Sequence, residues 1–278
     1  MTGLLLTLAA TFFSEAQESI GKNAVLQRQQ SIYTMGFLSM FWGMLFFLCI
    51  IFFVKKEFLF SLASLPTFLT RAVLELILAH VSILAITRAD RSTYSLIRTG
   101  TIPLLLVADI ALGYSLSISA VVGIGIIAAV LISLFYGTTI RTAGAGLAGA
   151  TMVLAAATIS LYKYDITHFN SVEAEQSIII AILLGYFFLM ARYKAGENPL
   201  AFLRQPLFLF QSLSAGLADV LMSFAYLFGA ASIITTAKRA LSVLWAILAG
   251  HRYFKETRLL LKLLAFAVIA AGLVLISL

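Results

Sequence analysis

The chain has 278 residues, 62% of them hydrophobic and only 11% charged. Soluble domains average about half apolar and a quarter charged, so a water-facing surface could not be covered and a soluble globular protein is excluded. The net charge of +7 comes from Lys and Arg set singly between apolar runs, with no basic stripe interleaved with aromatics. That pattern fits cationic loops that orient a membrane protein, and it excludes nucleic acid as a partner. A lone Cys49 excludes an intrachain disulfide. Met1–Ala10 lacks a basic leader and Glu15 and Glu18 follow soon after, so no cleavable signal is expected.

At about 20 apolar residues per crossing, this length holds on the order of ten short-looped helices. Apolar windows cut at charges, Pro and turn residues predict spans near 3–25, 31–54, 67–87, 92–112, 117–136, 143–164, 174–192, 206–228, 231–250 and 259–278. The longest loops, Lys55–Pro66 and Arg192–Gln205, leave no room for a soluble domain, so any function sits among the helices. Continuous apolar runs also contradict the alternation of a membrane β-barrel.

The two halves resemble each other. Val130-Leu131-Ile132-Ser133-Leu134 recurs as Val274-Leu275-Ile276-Ser277-Leu278, an offset of 144. An offset of 141 pairs Ser82 with Ser223, Ala89 with Ala230, Arg98 with Arg239 and Ala108 with Ala249. An offset of 147 pairs Thr11 with Thr158, Asn23 with Asn170 and Val25 with Val172. Three ordered windows with nearly equal offsets point to a duplication, with repeats over 1–140 and 141–278. A unit with an odd number of spans emerges on the opposite side, so its second copy is inserted upside down. The expected fold is therefore an all-α membrane protein of ten transmembrane helices, built as two inverted five-helix repeats. Such repeats let a cavity between the halves open to either side.

A family resemblance enters at the ninth span. Ala237-Lys238-Arg239-Ala240-Leu241-Ser242-Val243-Leu244-Trp245, followed by Gly250 and Phe254-Lys255-Glu256, resembles the ninth helix of EamA-type members of the drug/metabolite transporter superfamily. Its counterpart Ser95–Pro103 resembles that family's fourth helix, with Pro103 at the frequent proline, although Gly113-Tyr114-Ser115 stands where the family carries a Glu. Ser14-Glu15 and Glu18 through Lys22 resemble the first helix of the four-helix small multidrug resistance relatives. The resemblance covers essentially the whole chain. It implies ten helices and export or exchange of metabolites or drugs, often proton-coupled. The implied cavity is lined by the first, third, fourth, sixth, eighth and ninth helices.

Ionisable residues inside spans are the site candidates, because each costs at least about 2.5–3.5 kcal/mol near the bilayer centre. Glu15, Glu18 and Lys22 share one face of the first helix. Glu18 and Lys22 have ion-pair spacing, and that pair is either structural or part of the site. Glu15 has no obvious local partner and is the first choice for a proton or a cationic group. Glu75 and Asp219 fall at mid-span in pseudo-equivalent helices and are expected either to face one cavity as proton-exchanging acids or to stay protonated and hydrogen-bonded to neighbouring Ser and Thr. Arg98, with Lys238 and Arg239, either pairs with those acids, snorkels to the interface, or holds a carboxylate or phosphate. His80 is a candidate proton relay or a packed core residue. Asp165 and His168 could supply two metal ligands, too few for a site, with Glu173 and Glu175 assigned to the adjoining loop; no metal is expected. Asp109 is expected near a helix end in water; Tyr162, Tyr164 and Trp245 are expected as interfacial anchors, with cavity-lining aromatics as the alternative. Gly144 with Ala148, and Ala145 with Gly149, have the spacing of close helix contacts.

The expected function is secondary active transport of a small metabolite or drug-like solute, charged or zwitterionic, by alternating access, with export and proton coupling. No P-loop is present, so direct ATP drive and other cofactors are not expected. No acidic, His or metal-binding cluster marks an interfacial loop, so enzymatic activity is not expected; a lipid- or polyprenyl-modifying membrane enzyme is the alternative class. A scaffold subunit would leave the intramembrane charges without purpose. The expected location is the cell membrane, as a multi-pass protein of a prokaryotic plasma membrane, with a monomer as the default and a dimer as the alternative. The odd-numbered loops carry ten basic residues from Arg28 to Arg258 against Lys55 and Lys56 in the even ones, and Arg71 and Lys163 join the even side if counted. This bias puts both termini outside, whereas the family resemblance implies both inside.

Overall fold

The computed structural model describes residues 1–89, Tyr94, Ile97, Arg98, 100–113, 117–136, 144–253 and single residues between Leu264 and Leu275. Among them every regular element is helical: α1 (Thr2–Leu26), α2 (Ile32–Cys49), α3 (Leu65–Arg88), α4 (Thr101–Ala111), α5 (Ile118–Tyr136), α6 (Ala145–His168), α7 (Val172–Lys194), α8 (Pro206–Ala225) and α9 (Ala231–Tyr253). Most boundaries fall within a few residues of the expected spans. α6 runs on past residue 164 to His168, which carries Asp165 into the helix. The tenth expected span and the Phe254-Lys255-Glu256 segment lie largely or wholly outside the described residues.

Local chemistry sets the helix starts. Ser31 caps α2 by accepting from Thr34 N at 3.1 Å, and Ser171 caps α7 by accepting from Ala174 N at 3.3 Å. Pro66 and Pro206 occupy the first turns of α3 and α8, where a missing N–H costs nothing. α2 does not stop at Cys49 but widens into a π-helical turn over Ile50–Lys55.

Five described segments are long and apolar enough to cross a membrane: Ile32–Lys55, Leu62–Arg88, Ala145–His168, Val172–Lys194 and Pro206–Phe228. Their polarity is inside out. On α3, Leu69, Val73 and Ile77 recur every fourth residue and are exposed, while Arg71 and Leu78 on the opposite side are buried. On α8, Leu207 and Phe210 face outward while Gln211, Ser212 and Ser214 are buried. Outward apolar stripes of this kind require lipid rather than water as solvent.

The helices pack in a definite pattern. α1 lies along α8 and α9; α3 lies along α6 and α7; α2 packs on α7 and α8; and α4 touches both α6 and α9. The α2–α8 contact is close enough to exclude a side chain. A Cβ on Gly216 would sit 2.7 Å from Gly43 N and 2.7 Å from the Trp42 carbonyl carbon. Of the two expected small-residue pairs, Gly144 and Ala148 make a close contact: Gly144 has φ +79°, a Cβ there would lie 2.9 Å from Ala89 N, and Ala148 is fully buried. Gly149 meets nothing within 4 Å and so needs no small side chain.

Two lysines close helix ends in matching ways. Lys22 Nζ, near the end of α1, donates to Ala89 O just past α3 at 2.8 Å. Lys163 Nζ, near the end of α6, donates to Tyr226 O just past α8 at 2.7 Å. A cation at a helix C-terminus satisfies orphan carbonyls and complements the dipole.

Gly216→Ala is expected to lower stability by about 1–3 kcal/mol through overpacking against backbone that cannot give way. Gly149→Ala should leave it unchanged. Thermal unfolding midpoints of the two purified variants in one detergent test this contrast; equal midpoints would refute the packing claim.

Candidate functional site

The helices form a cavity of about 230 Å³. Its walls come from both halves of the chain: Thr11 and Ser14 on α1, Arg71 and Glu75 on α3, and Arg98 just before α4. From the second half come Thr158 and Tyr162 on α6, Gln176 on α7, Asp219 and Ser223 on α8, and Lys238 and Arg239 on α9. Thr11 and Thr158, paired by the internal repeat, both line it, as do Arg98 and Arg239. Glu75 and Asp219 share the cavity as the sequence led us to expect, and Asp219 also lies within electrostatic reach of Lys238.

One wall is a buried polar lock. Arg71, only 2% exposed, donates from Nη1 to Glu175 Oε1 at 2.6 Å and from Nη2 to Gln176 Oε1 at 3.2 Å. Its Nε is 3.8 Å from Glu75 Oε1, and its guanidinium lies 4.5 Å over the Tyr162 ring. Behind Glu175, Asn170 Nδ2 donates to Glu175 Oε2 at 2.8 Å and to Ser64 Oγ at 2.9 Å, while Asn170 Oδ1 accepts from Ser61 N at 2.9 Å. Tyr162 completes this wall by donating to Ser223 O at 3.1 Å.

Another part of the lining is cationic. Arg239, 6% exposed, donates from Nε to Thr101 Oγ1 at 3.2 Å, and that hydroxyl donates to Arg98 O at 2.5 Å. Arg98 donates to Tyr94 OH at 2.7 Å with its guanidinium 5.2 Å over the same ring. A smaller chamber of about 50 Å³ shares Ser14, Arg98, Lys238 and Arg239 with the main cavity and adds Glu15, Glu18, Tyr94 and Ser242. Ser19 donates to Glu15 at 3.1 Å and Ser14 to Glu18 at 3.4 Å.

The structure thus gathers seven of the nine sequence candidates around two joined chambers: Glu15, Glu18, Glu75, Arg98, Asp219, Lys238 and Arg239. Lys22 and His80 are not among the lining residues. Lys22 serves the end of α3, and His80 Nδ1 is 2.8 Å from the Tyr186 hydroxyl.

Three expectations are corrected. Asp109 is not in water: it is 1% exposed and accepts from Ser232 N at 2.6 Å, capping the open first turn of α9 where α4 ends. Glu173 and Glu175 lie in the first turn of α7, not in a loop, and both are buried. Tyr162 is buried in the cavity wall and is no interfacial anchor. Arg71 and Lys163, which would join the even loops only if counted there, are buried at 2% and 6% exposure. Trp245 donates to Thr11 Oγ1 at 3.1 Å, a bond between α9 and α1. Asp165 is buried and accepts from Thr67 Oγ1 at 2.6 Å; among the described residues no three His, Cys, Asp or Glu could hold a metal ion.

The repeat pairing also has a limit. Asn170 is the hub of the lock, whereas its partner Asn23 is exposed and lines an outer cleft.

Compared with family models and with curated proteins, the chain matches none.

Removing one partner of a buried ion pair strands the other, at about 3–5 kcal/mol. Arg71→Met alone and Glu175→Leu alone are therefore each expected to destabilise strongly, and the double variant to recover a large part of the loss. Unfolding of the three variants, analysed as a double-mutant cycle, checks this; additive losses would show that the pair is not coupled.

Proposed function

We propose that this chain is a secondary active transporter that carries a small solute across the cell membrane by alternating access, with Glu75 and Asp219 exchanging the coupled proton. The observation that carries the reading is a cavity among the apolar helices with acids and bases from both halves of the chain on its wall. A cavity at the interface of repeats is where carriers hold their solute. The resemblance to EamA-type transporters supports the same reading and favours export.

Ten spans in two inverted repeats are part of this proposal. Exchanging α1 with α6, α2 with α7, α3 with α8 and α4 with α9 turns the α1–α8 contact into α6–α3, the α1–α9 contact into α6–α4, and the α2–α8 contact into α7–α3. The same exchange relates the Lys22 and Lys163 caps and the Ser31 and Ser171 caps. These correspondences are what a pseudo-two-fold axis would produce.

In this reading the Arg71–Glu175 lock closes one exit. Opening there requires Arg71 to leave Glu175, and Glu75, 3.8 Å from its Nε, is the nearby carboxylate that receives it. Protonation of Glu75 would remove that alternative partner and favour the locked state, which ties the exit to the proton.

Burial of Arg71 and Lys163 takes both out of the loop count. What remains on the even side is Lys55 and Lys56, both exposed. We therefore infer that both termini face outward.

Cells expressing the wild type are expected to accumulate a solute in the medium, and a proton ionophore should suppress it. Glu75→Gln and Asp219→Asn should each reduce the accumulation at least tenfold. Metabolite profiles of the medium measure this; export indifferent to both substitutions and to the ionophore would end the coupling proposal. A reporter fused to Leu278 that is active only outside the cell is expected to be active, and a silent but cytoplasm-active fusion would reverse the orientation.

A further inference from the structure

We propose that Arg98, Lys238 and Arg239 form an anion-binding subsite that takes a carboxylate or phosphate group. That the bound group belongs to the transported solute rests on the carrier reading; the subsite itself does not.

The case starts from unmade hydrogen bonds. Arg239 is 94% buried, yet its Nη2 has no hydrogen-bond partner among the described residues, and Arg98 Nε is in the same position. A buried donor left unpaired costs about 1–3 kcal/mol, and more when the group is charged. Both residues line the main cavity and the smaller chamber, although the two unpaired atoms are themselves covered in this structure. Lys238 lines the same two chambers. Three cations around one space repel each other unless an anion lies between them.

Asp219 and Glu18 act electrostatically on Lys238, and Glu18 on Arg239, while Glu75 lies by Arg71 and Glu15 accepts from Ser19; yet Arg239 Nη2 and Arg98 Nε have no hydrogen-bond partner among the described residues. The planar guanidinium fork fits a centre that carries two or more oxygens, which is the chemistry shared by carboxylates and phosphates.

Two sources can present that chemistry. One is a free small anion in the main cavity. The other is the head of an amphiphile whose chain lies in a mostly apolar cleft of about 630 Å³ between α1, α8 and α9, walled by Phe12, Phe210, Trp245 and Leu248. That cleft shares Glu15 with the smaller chamber.

The full chain in phosphatidylcholine nanodiscs is titrated calorimetrically with inorganic phosphate, acetate, dodecyl phosphate, laurate and, as control, dodecyltrimethylammonium. Binding of at least one anion, but not of the control, is expected. Arg239→Gln and Lys238→Gln should each weaken that binding at least tenfold, and Arg239→Lys should fall between, because it keeps the charge and loses the fork. Preference for the dodecyl and lauryl anions, lost in Leu248→Trp, assigns an amphiphile; equal binding of the short anions, unaffected by Leu248→Trp, assigns a free anion. If Arg239→Gln does not fold, Arg98→Gln, at a half-buried position, reads the same contact. No anion binding, equal binding of the ammonium control, or full affinity in a folded Arg239→Gln or Arg98→Gln overturns the subsite. Anion binding without any flux would remove the carrier reading alone, and flux without anion binding would remove only the subsite.

Discussion

A guanidinium taken out of water has to find its hydrogen-bond acceptors among neighbouring helices. Arg71 does so by reaching from α3 to Glu175 and Gln176 on α7 and lying over Tyr162 of α6. The arrangement fixes three helices against each other at one depth. It also reaches beyond them, since Glu175 holds Asn170, and Asn170 holds the Ser61 and Ser64 backbone and side chain that lead into α3. Each group in this chain needs the next, because in hydrocarbon no water stands in for a missing partner. The rest of the molecule is arranged around that requirement.

The same constraint explains the inside-out polarity. Apolar side chains such as Leu69, Val73 and Phe210 can face lipid at no cost, so the few polar residues are driven inward. There they meet the polar residues of other helices, and the space they leave is a cavity with charged walls. Close approach of α2 and α8 at Gly216, and lysines at the ends of α3 and α8, hold the helices that shape it. Packing and polar satisfaction therefore act together, and neither alone would give this cavity.

Much of the candidate site was readable because an intramembrane charge is rare enough to stand out. Glu75, Asp219 and Arg98 were visible as single ionisable residues in apolar runs, and Arg239 as part of the Lys238-Arg239 pair. Glu175 was not. It sits beside a helix start, where a carboxylate ordinarily meets water. What buries it is a partner 104 positions away in the chain, Arg71, and no local pattern carries that information. Asp109 was misplaced for a related reason: its helix end faces the open start of α9 rather than solvent. His80 and Lys22 stood out by the same rule as the acids, yet they satisfy Tyr186 and a carbonyl away from the cavity.

By itself the sequence determined that the chain is helical and lipid-facing, and roughly where each helix lies, because these follow from hydropathy and capping residues that act over one or two turns. Which charges meet, which face the cavity and which only close a helix end was decided by the tertiary structure. Those pairings join residues far apart in the chain, and their energies depend on whether water reaches them, which only the packed helices settle.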